Sequence, residues 1–142
     1  MIQILQRGVW IPIEVRKGDI VEKTSGLVNG GYRVEEPHIA LPITLCKRLG
    51  IHPKKPEPYE PSLWITNESI EVRVVTEDRR TKWVSAKVHM YMLRRYIIIS
   101  TSLAEALGIG IYKLHEGLWF FIDEGLSKIR KPAKPRRYPI RL

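Results

Sequence analysis

The feature that most constrains the fold of this chain is an internal repeat. The segment IALPITLCKRLGI (39–51) aligns without gaps on IIISTSLAEALGI (97–109), and five of the 13 positions are identical. In each copy a strand-like apolar run leads into a short stretch with helical spacing and ends at Leu-Gly-Ile. The match extends outward, because Tyr32 and Tyr91 precede the two copies and a Leu-Trp pair follows each of them.

One copy alone cannot bury both of its faces, so the repeat predicts two units that close on each other. Much of the remaining sequence alternates like strands, as in VWIPIEV (9–15), where Pro12 favours an edge strand or a bulge. Only residues 43–50 and 102–108 have helical spacing, and the second stretch has a capping box that begins at Ser102. The predicted fold class is mainly β: duplicated strand–short helix–strand units closing into one small β-barrel, with a basic C-terminal arm.

The chain of 142 residues fits a single domain. We predict a duplicated β-barrel domain over residues 1–125, with repeat cores at 32–66 and 91–123, followed by a basic, Pro-containing arm at 126–142.

The arm holds most of the net charge of +9, since residues 126–142 carry seven cations and no acid. Its prolines prevent a continuous helix and favour an extended backbone. Extended basic segments bind phosphate backbones by displacing counterions, and the alternative is a disordered, solubilising tail. The arm residues predicted to contact nucleic acid are Lys128, Arg130, Lys131, Lys134, Arg136 and Arg137.

A second group of cations alternates with aromatic residues around a predicted hairpin turn at 78–80. Arg79, Arg80 and Lys82 stand beside Trp83, and Arg94 and Arg95 follow the next strand. Such a pattern suits nucleic acid, because bases stack on rings while cations follow the backbone. The alternative is a solvated hairpin whose aromatic residues belong to the core.

Each repeat copy also resembles the AbrB/MazE/SpoVT swapped-hairpin family, whose hallmark is a strand, an Ile-Pro, a short helix and Leu-Gly-Ile. The first copy has Leu41-Pro42 and ends at Leu49-Gly50-Ile51, whereas the second has Ile99-Ser100 and ends at Leu107-Gly108-Ile109. The resemblance covers about 15 residues of each copy. It implies a cradle-loop barrel with both units in one chain.

Family members bind DNA through basic residues near the first strand, so the resemblance also implies a set of DNA contacts. By position, these are Arg33 in the first copy and Arg94 and Arg95 in the second. Lys47 and Arg48 lie on the first helix, where the second copy carries Glu105 and Ala106. The implied DNA surface is therefore asymmetric.

The sequence contains no recognisable enzyme motif. Its four histidines lack metal-ligand spacing, no phosphate-binding loop occurs, and the single Cys46 excludes a disulfide within the chain. Cys46 is expected to be a small buried hydrophobic residue. We therefore predict that the protein is not an enzyme and has no cofactor or metal.

These observations predict a non-enzymatic nucleic-acid-binding protein. Double-stranded DNA is favoured over RNA, as for an AbrB-like transcription regulator or a chromatin-type binder. The alternative is a protein-interaction or assembly module whose arm docks on an acidic or RNA-containing partner. A homodimer is left open. The absence of a long apolar run and of a signal-peptide pattern predicts a cytoplasmic protein with no membrane partner. Abundant Ile with two Gln and two Asn is typical of thermophiles.

Overall fold

The structure, a computed structural model, describes residues 8–140. Residues 1–7 of the predicted barrel domain and residues 141–142 of the arm lie outside the described residues. The elements in chain order are β1 (Val9–Lys17), β2 (Ile20–Val28), β3 (His38–Pro42), α1 (Ile43–Arg48), β4 (Lys55–Glu57), β5 (Glu60–Val74), β6 (Val84–Tyr91), β7 (Ile97–Ile99), α2 (Thr101–Ala106), β8 (Ile109–Lys113), β9 (Leu118–Phe121) and a 3₁₀ helix (Ile122–Ser127).

Six of these strands form a closed barrel, which confirms the predicted mainly β class. The strand order is β1-β2-β7-β3-β6-β5, and the pairing of β5 with β1 closes the sheet. Strands β2 and β7 pair in parallel, as do β3 and β6, and the other barrel pairs are antiparallel. The short β4 adds to the first part of β5, and β8 and β9 form a separate two-stranded sheet.

The barrel has the two-fold order that the repeat predicts. Exchanging β1, β2 and β3 with β5, β6 and β7 turns the strand order into its own reverse. The two repeat copies meet where β3 and β7 pair, at Ile39 with Ile99 and at Ala40 with Ile98. Each of these strands runs directly into a short helix that ends beside a glycine with positive φ, at Gly50 (72°) and Gly108 (75°).

The first strand is an interior strand, so the prediction that Pro12 marks an edge or a bulge was wrong. Val9, Ile11, Ile13 and Val15 point into the core as the alternation predicted, and β1 pairs with both β2 and β5. The ladder with β5 begins only at Ile13. A missing N–H at Pro12 therefore removes no bond from that ladder.

The second helix starts earlier than its sequence predicted. Its N-cap is Ser100, whose side chain accepts a hydrogen bond from the Leu103 N–H at 3.1 Å. The same hydroxyl oxygen accepts the His38 N–H from β3. Ser102 instead donates to the Glu36 carbonyl, so it ties the helix to the preceding loop rather than capping it.

Candidate nucleic-acid interface

The basic arm is packed along the barrel, and residues 128–140 are called the C-terminal strap here. Arg130 exchanges two backbone hydrogen bonds with Trp119 on β9. Further along, the Ala133 N–H donates to the Trp10 carbonyl and the Ser25 hydroxyl donates to the Lys134 carbonyl. The strap is therefore anchored by backbone bonds as well as by its charges.

Tyr138 is the main anchor of the strap. Its side chain is fully buried and belongs to the barrel core. The hydroxyl donates to the Glu22 carboxylate at 2.7 Å and lies 2.8 Å from Thr24 Oγ1. Burial, together with Glu22, raises the pKa of Tyr138 to about 12.

Three of the predicted nucleic-acid contacts in the hairpin turn and the strap are held in ion pairs within the protein. Arg79 bridges Asp123 and Glu124 at 2.6 and 3.0 Å, and Arg130 pairs with Asp78 and Glu124. Lys128 also pairs with Asp78. These hydrogen bonds from cations hold the pKa values of the three carboxyl groups below their usual range. The strap and the predicted hairpin turn are thereby joined through shared acids.

The aromatic residue at the same turn is not open for stacking. The guanidinium groups of Arg16 and Arg73 lie 4.1 and 4.2 Å from the centre of the Trp83 ring. Each guanidinium also pairs with a carboxylate, Arg16 with Glu71 and Arg73 with Glu14. Arg80 and Lys82 are cations of this loop that make no ion pair among the described residues.

A separate group of cations comes together at the end of the strap, and we call Arg94, Arg95, Arg136 and Arg137 the arginine face. The Tyr138 N–H donates to the Arg95 carbonyl at 2.6 Å, and Arg95 Nε donates back to the Tyr138 carbonyl at 3.1 Å. All four side chains are exposed, and none forms an ion pair with an acid of the described chain. Two segments that are distant in the sequence therefore meet at Arg95 and Tyr138, and together they carry four exposed arginines without an ion-pair partner among the described residues.

Two arginines of the arginine face lie beside aromatic rings, of which Tyr96 is half-buried and Tyr138 is fully buried. Arg137 lies 5.8 Å from the centre of the Tyr96 ring, and Arg136 lies 5.0 Å from that of Tyr138. Lys131 and Lys134 continue the positive charge along the strap, exposed and without an ion-pair partner among the described residues.

The basic residues that the family resemblance singled out do not lie together in the structure. Arg94 and Arg95 belong to the arginine face, whereas Arg48 pairs with Glu22 and Lys47 is exposed on α1. The Thr44 hydroxyl donates to the Pro139 carbonyl, which sets α1 beside the end of the strap. Arg33 lies elsewhere, beside a pocket that the sequence did not predict.

This pocket has a volume of about 260 Å³ and is called the tyrosine pocket. Its floor is Ala40, Leu63 and Ile98, at the junction of the two repeat copies. Its lining residues are Asn29, Gly31, Tyr32, Arg33, Val34, Ala40, Tyr59, Glu60, Leu63, Tyr91 and Ile98. Part of this pocket could have been found from the sequence, because Tyr32 and Tyr91 are the tyrosines that precede the two repeat copies.

A buried hydrogen-bonded chain supports one wall of the tyrosine pocket. The Tyr32 hydroxyl lies 2.7 Å from His89 Nδ1, and His89 Nε2 lies 2.7 Å from the Glu57 carboxylate. Burial lowers the pKa of His89 more strongly than Glu57 raises it, so we assign a neutral imidazole. The Nε2–H then donates to Glu57, and Nδ1 accepts the Tyr32 hydroxyl proton.

The buried chain holds Tyr32 in place. Burial raises the pKa of Tyr32 far above its ordinary value, so its hydroxyl stays protonated and keeps the hydrogen bond to His89. Cys46 is equally protected, since it is fully buried and burial raises the pKa of its thiol to about 12. The expectation that Cys46 is a buried hydrophobic residue is confirmed.

Burial of His89 predicts a pH-dependent stability. Because the folded-state pKa is below the ordinary value of about 6.5, the unfolded chain takes up the proton first as the pH falls. We expect the free energy of unfolding to decrease as the pH drops below about 6.5. In His89→Gln, the part of this decrease that is due to His89 should be absent. Urea unfolding at pH 7 and pH 5 measures it. His115→Gln, at an exposed position between β8 and β9, is the matched control, and an unaltered pH dependence in His89→Gln would contradict the assignment.

The geometry thus defines a closed barrel of two related halves that carries an arginine face and a tyrosine pocket. Comparison with protein-family models and with curated proteins found no match for the chain. Within residues 8–140, no helix is both long and apolar enough to cross a membrane. In the same residues, no three His, Cys, Asp or Glu side chains are grouped as metal ligands.

Proposed function

We propose that the protein binds nucleic acid, without catalysis, through phosphate contacts of the arginine face. The observation that carries this proposal is the meeting of two segments that each carry two exposed arginines without an ion-pair partner among the described residues. Arg16, Arg73, Arg79 and Arg130 each pair with an acid of the chain, whereas the four arginines of the face do not. The bonds between Arg95 and Tyr138 keep the two arginine-bearing segments side by side, and phosphate groups are anions that such exposed guanidinium groups bind well.

Duplex DNA is the proposed ligand class for the first test. The two-fold strand order and the Leu-Gly-Ile endings support a relationship to AbrB/MazE/SpoVT-like proteins, in a version with both units in one chain. Arg94 and Arg95, which border the second unit, belong to the arginine face. DNA binding is a property of that family, and for this chain it is part of the proposal. RNA presents the same phosphates, so it is the comparison ligand.

The direct experiment is fluorescence anisotropy of the full chain with labelled duplex DNA and single-stranded RNA over a salt series. If the four arginines each neutralise one phosphate of the duplex, a plot of log K against log salt concentration should have a slope of about −3 to −4. A slope near zero, or no binding at low salt, would overturn the proposal. Polyglutamate as a competitor tests the alternative of an acidic protein partner, which predicts displacement as effective as that by DNA.

A further inference from the structure

The tyrosine pocket has the dimensions and lining of a site for one flat ring. Its volume of about 260 Å³ is just below the range of about 300–1,000 Å³ that holds drug-sized ligands. The pocket therefore suits a ligand about the size of a single aromatic group.

The walls are suited to stacking. Tyr32 and Tyr91 come from the two repeat copies and Tyr59 follows β4, so three tyrosines line the pocket together with Ala40, Leu63 and Ile98. Tyr32 is fixed by its hydrogen bond to His89, so it needs little ordering when a ligand enters. Tyr59 is 72% exposed, which leaves much of its ring surface open to solvent.

The rim also carries polar groups that match the edge of a base. The Gly31 N–H donates to Asn29 Oδ1 and Ser62 donates to Glu60 Oε1, so the groups that remain for a ligand are the Asn29 amide NH₂ and the second carboxylate oxygen of Glu60. A nucleobase combines a flat π face with a polar edge, and proteins bind unpaired bases by stacking them on aromatic rings and bonding their edges. An aliphatic ligand would use neither feature.

The pocket is connected to the arginine face. The Arg94 guanidinium lies 5.9 Å from the centre of the Tyr91 ring, so a residue of the face contacts a wall of the pocket. Arg33 stands on the rim, exposed and bonded only to the Gly30 carbonyl among the described residues. A strand whose phosphates lie on Arg94 can therefore place an adjacent base at the pocket.

From this arrangement we infer that the tyrosine pocket binds one unpaired nucleobase of a strand whose phosphates contact the arginine face. The inference rests on the proposed function and extends it, because the pocket adds recognition of an unstacked base to backbone binding. A duplex with an extrahelical base, or a single strand, should then bind more tightly than a regular duplex, which can contact only the arginine face. In a regular duplex the bases are paired and stacked, so their rings are not accessible to the pocket.

The test compares two single strands of the same length, about 12 nucleotides, which is within the usual size of such binding sites. One is an ordinary DNA oligonucleotide, and the other carries abasic sites throughout and so has the same phosphates without rings. We expect the ordinary strand to bind roughly 5- to 100-fold more tightly, with the same salt dependence. An RNA strand of the same sequence shows whether the sugar matters.

Variants at the exposed tyrosine assign the effect to the pocket. Tyr59→Ala should reduce the affinity for the ordinary strand at least fivefold and leave the abasic strand unchanged, and Tyr59→Trp should restore binding because it keeps a stacking ring. Tyr112→Ala, at an exposed tyrosine on β8, is the matched control and should have no effect.

The outcomes separate the two proposals. Equal, salt-dependent binding of both strands would overturn the base site and retain the arginine face. Equal effects of Tyr59→Ala and Tyr112→Ala would also overturn the base site. Failure of both strands to bind at low salt would overturn the proposed function and the base site together.

Discussion

Replacing Tyr138 by alanine is expected to lower the free energy of unfolding by about 3–5 kcal/mol. The side chain is fully buried in the barrel core, although it lies only four residues from the end of the chain. Its loss leaves a cavity and removes one of the two hydrogen bonds that Glu22 accepts, the other being from Arg48. Equilibrium unfolding in urea measures the change, which should appear as a lower midpoint with a similar slope.

Two further substitutions separate packing from hydrogen bonding. Tyr138→Phe keeps the ring and should cost about 1–2 kcal/mol, because only the bonds to Glu22 and Thr24 are lost. Tyr112→Ala on β8 removes an exposed ring and should change stability by less than about 0.5 kcal/mol. If Tyr138→Ala unfolds at the same urea concentration as the native chain, the strap is not docked in solution.

The buried anchor also determines how the arm should be tested. A chain ending at Gly125 would lose Tyr138, the strand-like bridge between Trp119 and Arg130, and the carbonyl bonded to Ser25. If this shortened chain failed to bind nucleic acid, the effect of unfolding could not be distinguished from the effect of lost charge. Charge substitutions that leave the backbone in place avoid this ambiguity.

The strands and short helices of the barrel were predictable because each of them leaves a pattern within a short stretch of sequence. The alternation of Val9, Ile11, Ile13 and Val15 reflects one buried face of a strand, and the Leu-Gly-Ile endings reflect the turn that closes each helix. The cap of α2 was misplaced because Ser100 and Ser102 are chemically equivalent. Only the distance to the Leu103 N–H distinguishes them.

The placement of the arm was not predictable in the same way, because a buried tyrosine in a basic, Pro-rich segment has no periodic signal. Partners of the cations were equally hidden, since Arg79 meets Asp123 only after the chain has folded. The tyrosine pocket was predictable only in part. Tyr32 and Tyr91 were visible as a repeated pair, but Tyr59 and the floor come together only in three dimensions.

Neutralising the arginine face is expected to weaken nucleic-acid binding by roughly a thousandfold at 0.1 M salt. The change is the quadruple variant with glutamine at Arg94, Arg95, Arg136 and Arg137. Each phosphate contact contributes about 0.9 to the slope of log K against log salt concentration for duplex DNA, so four lost contacts flatten the slope by about 3.6. Fluorescence anisotropy over a salt series measures both quantities.

The matched control removes the same charge from other exposed positions. Glutamine at Lys54, Lys55, Arg80 and Lys82 lowers the net charge by the same amount, and none of these residues has an ion-pair partner among the described residues. Since Arg80 and Lys82 belong to the predicted hairpin contacts, this variant also tests that site. A slope that changes only in the first variant assigns phosphate binding to the arginine face. Equal losses in both variants would mean either that the hairpin cations contribute as much as the arginine face or that binding follows net charge, and in both cases the arginine face would not be the specific phosphate site.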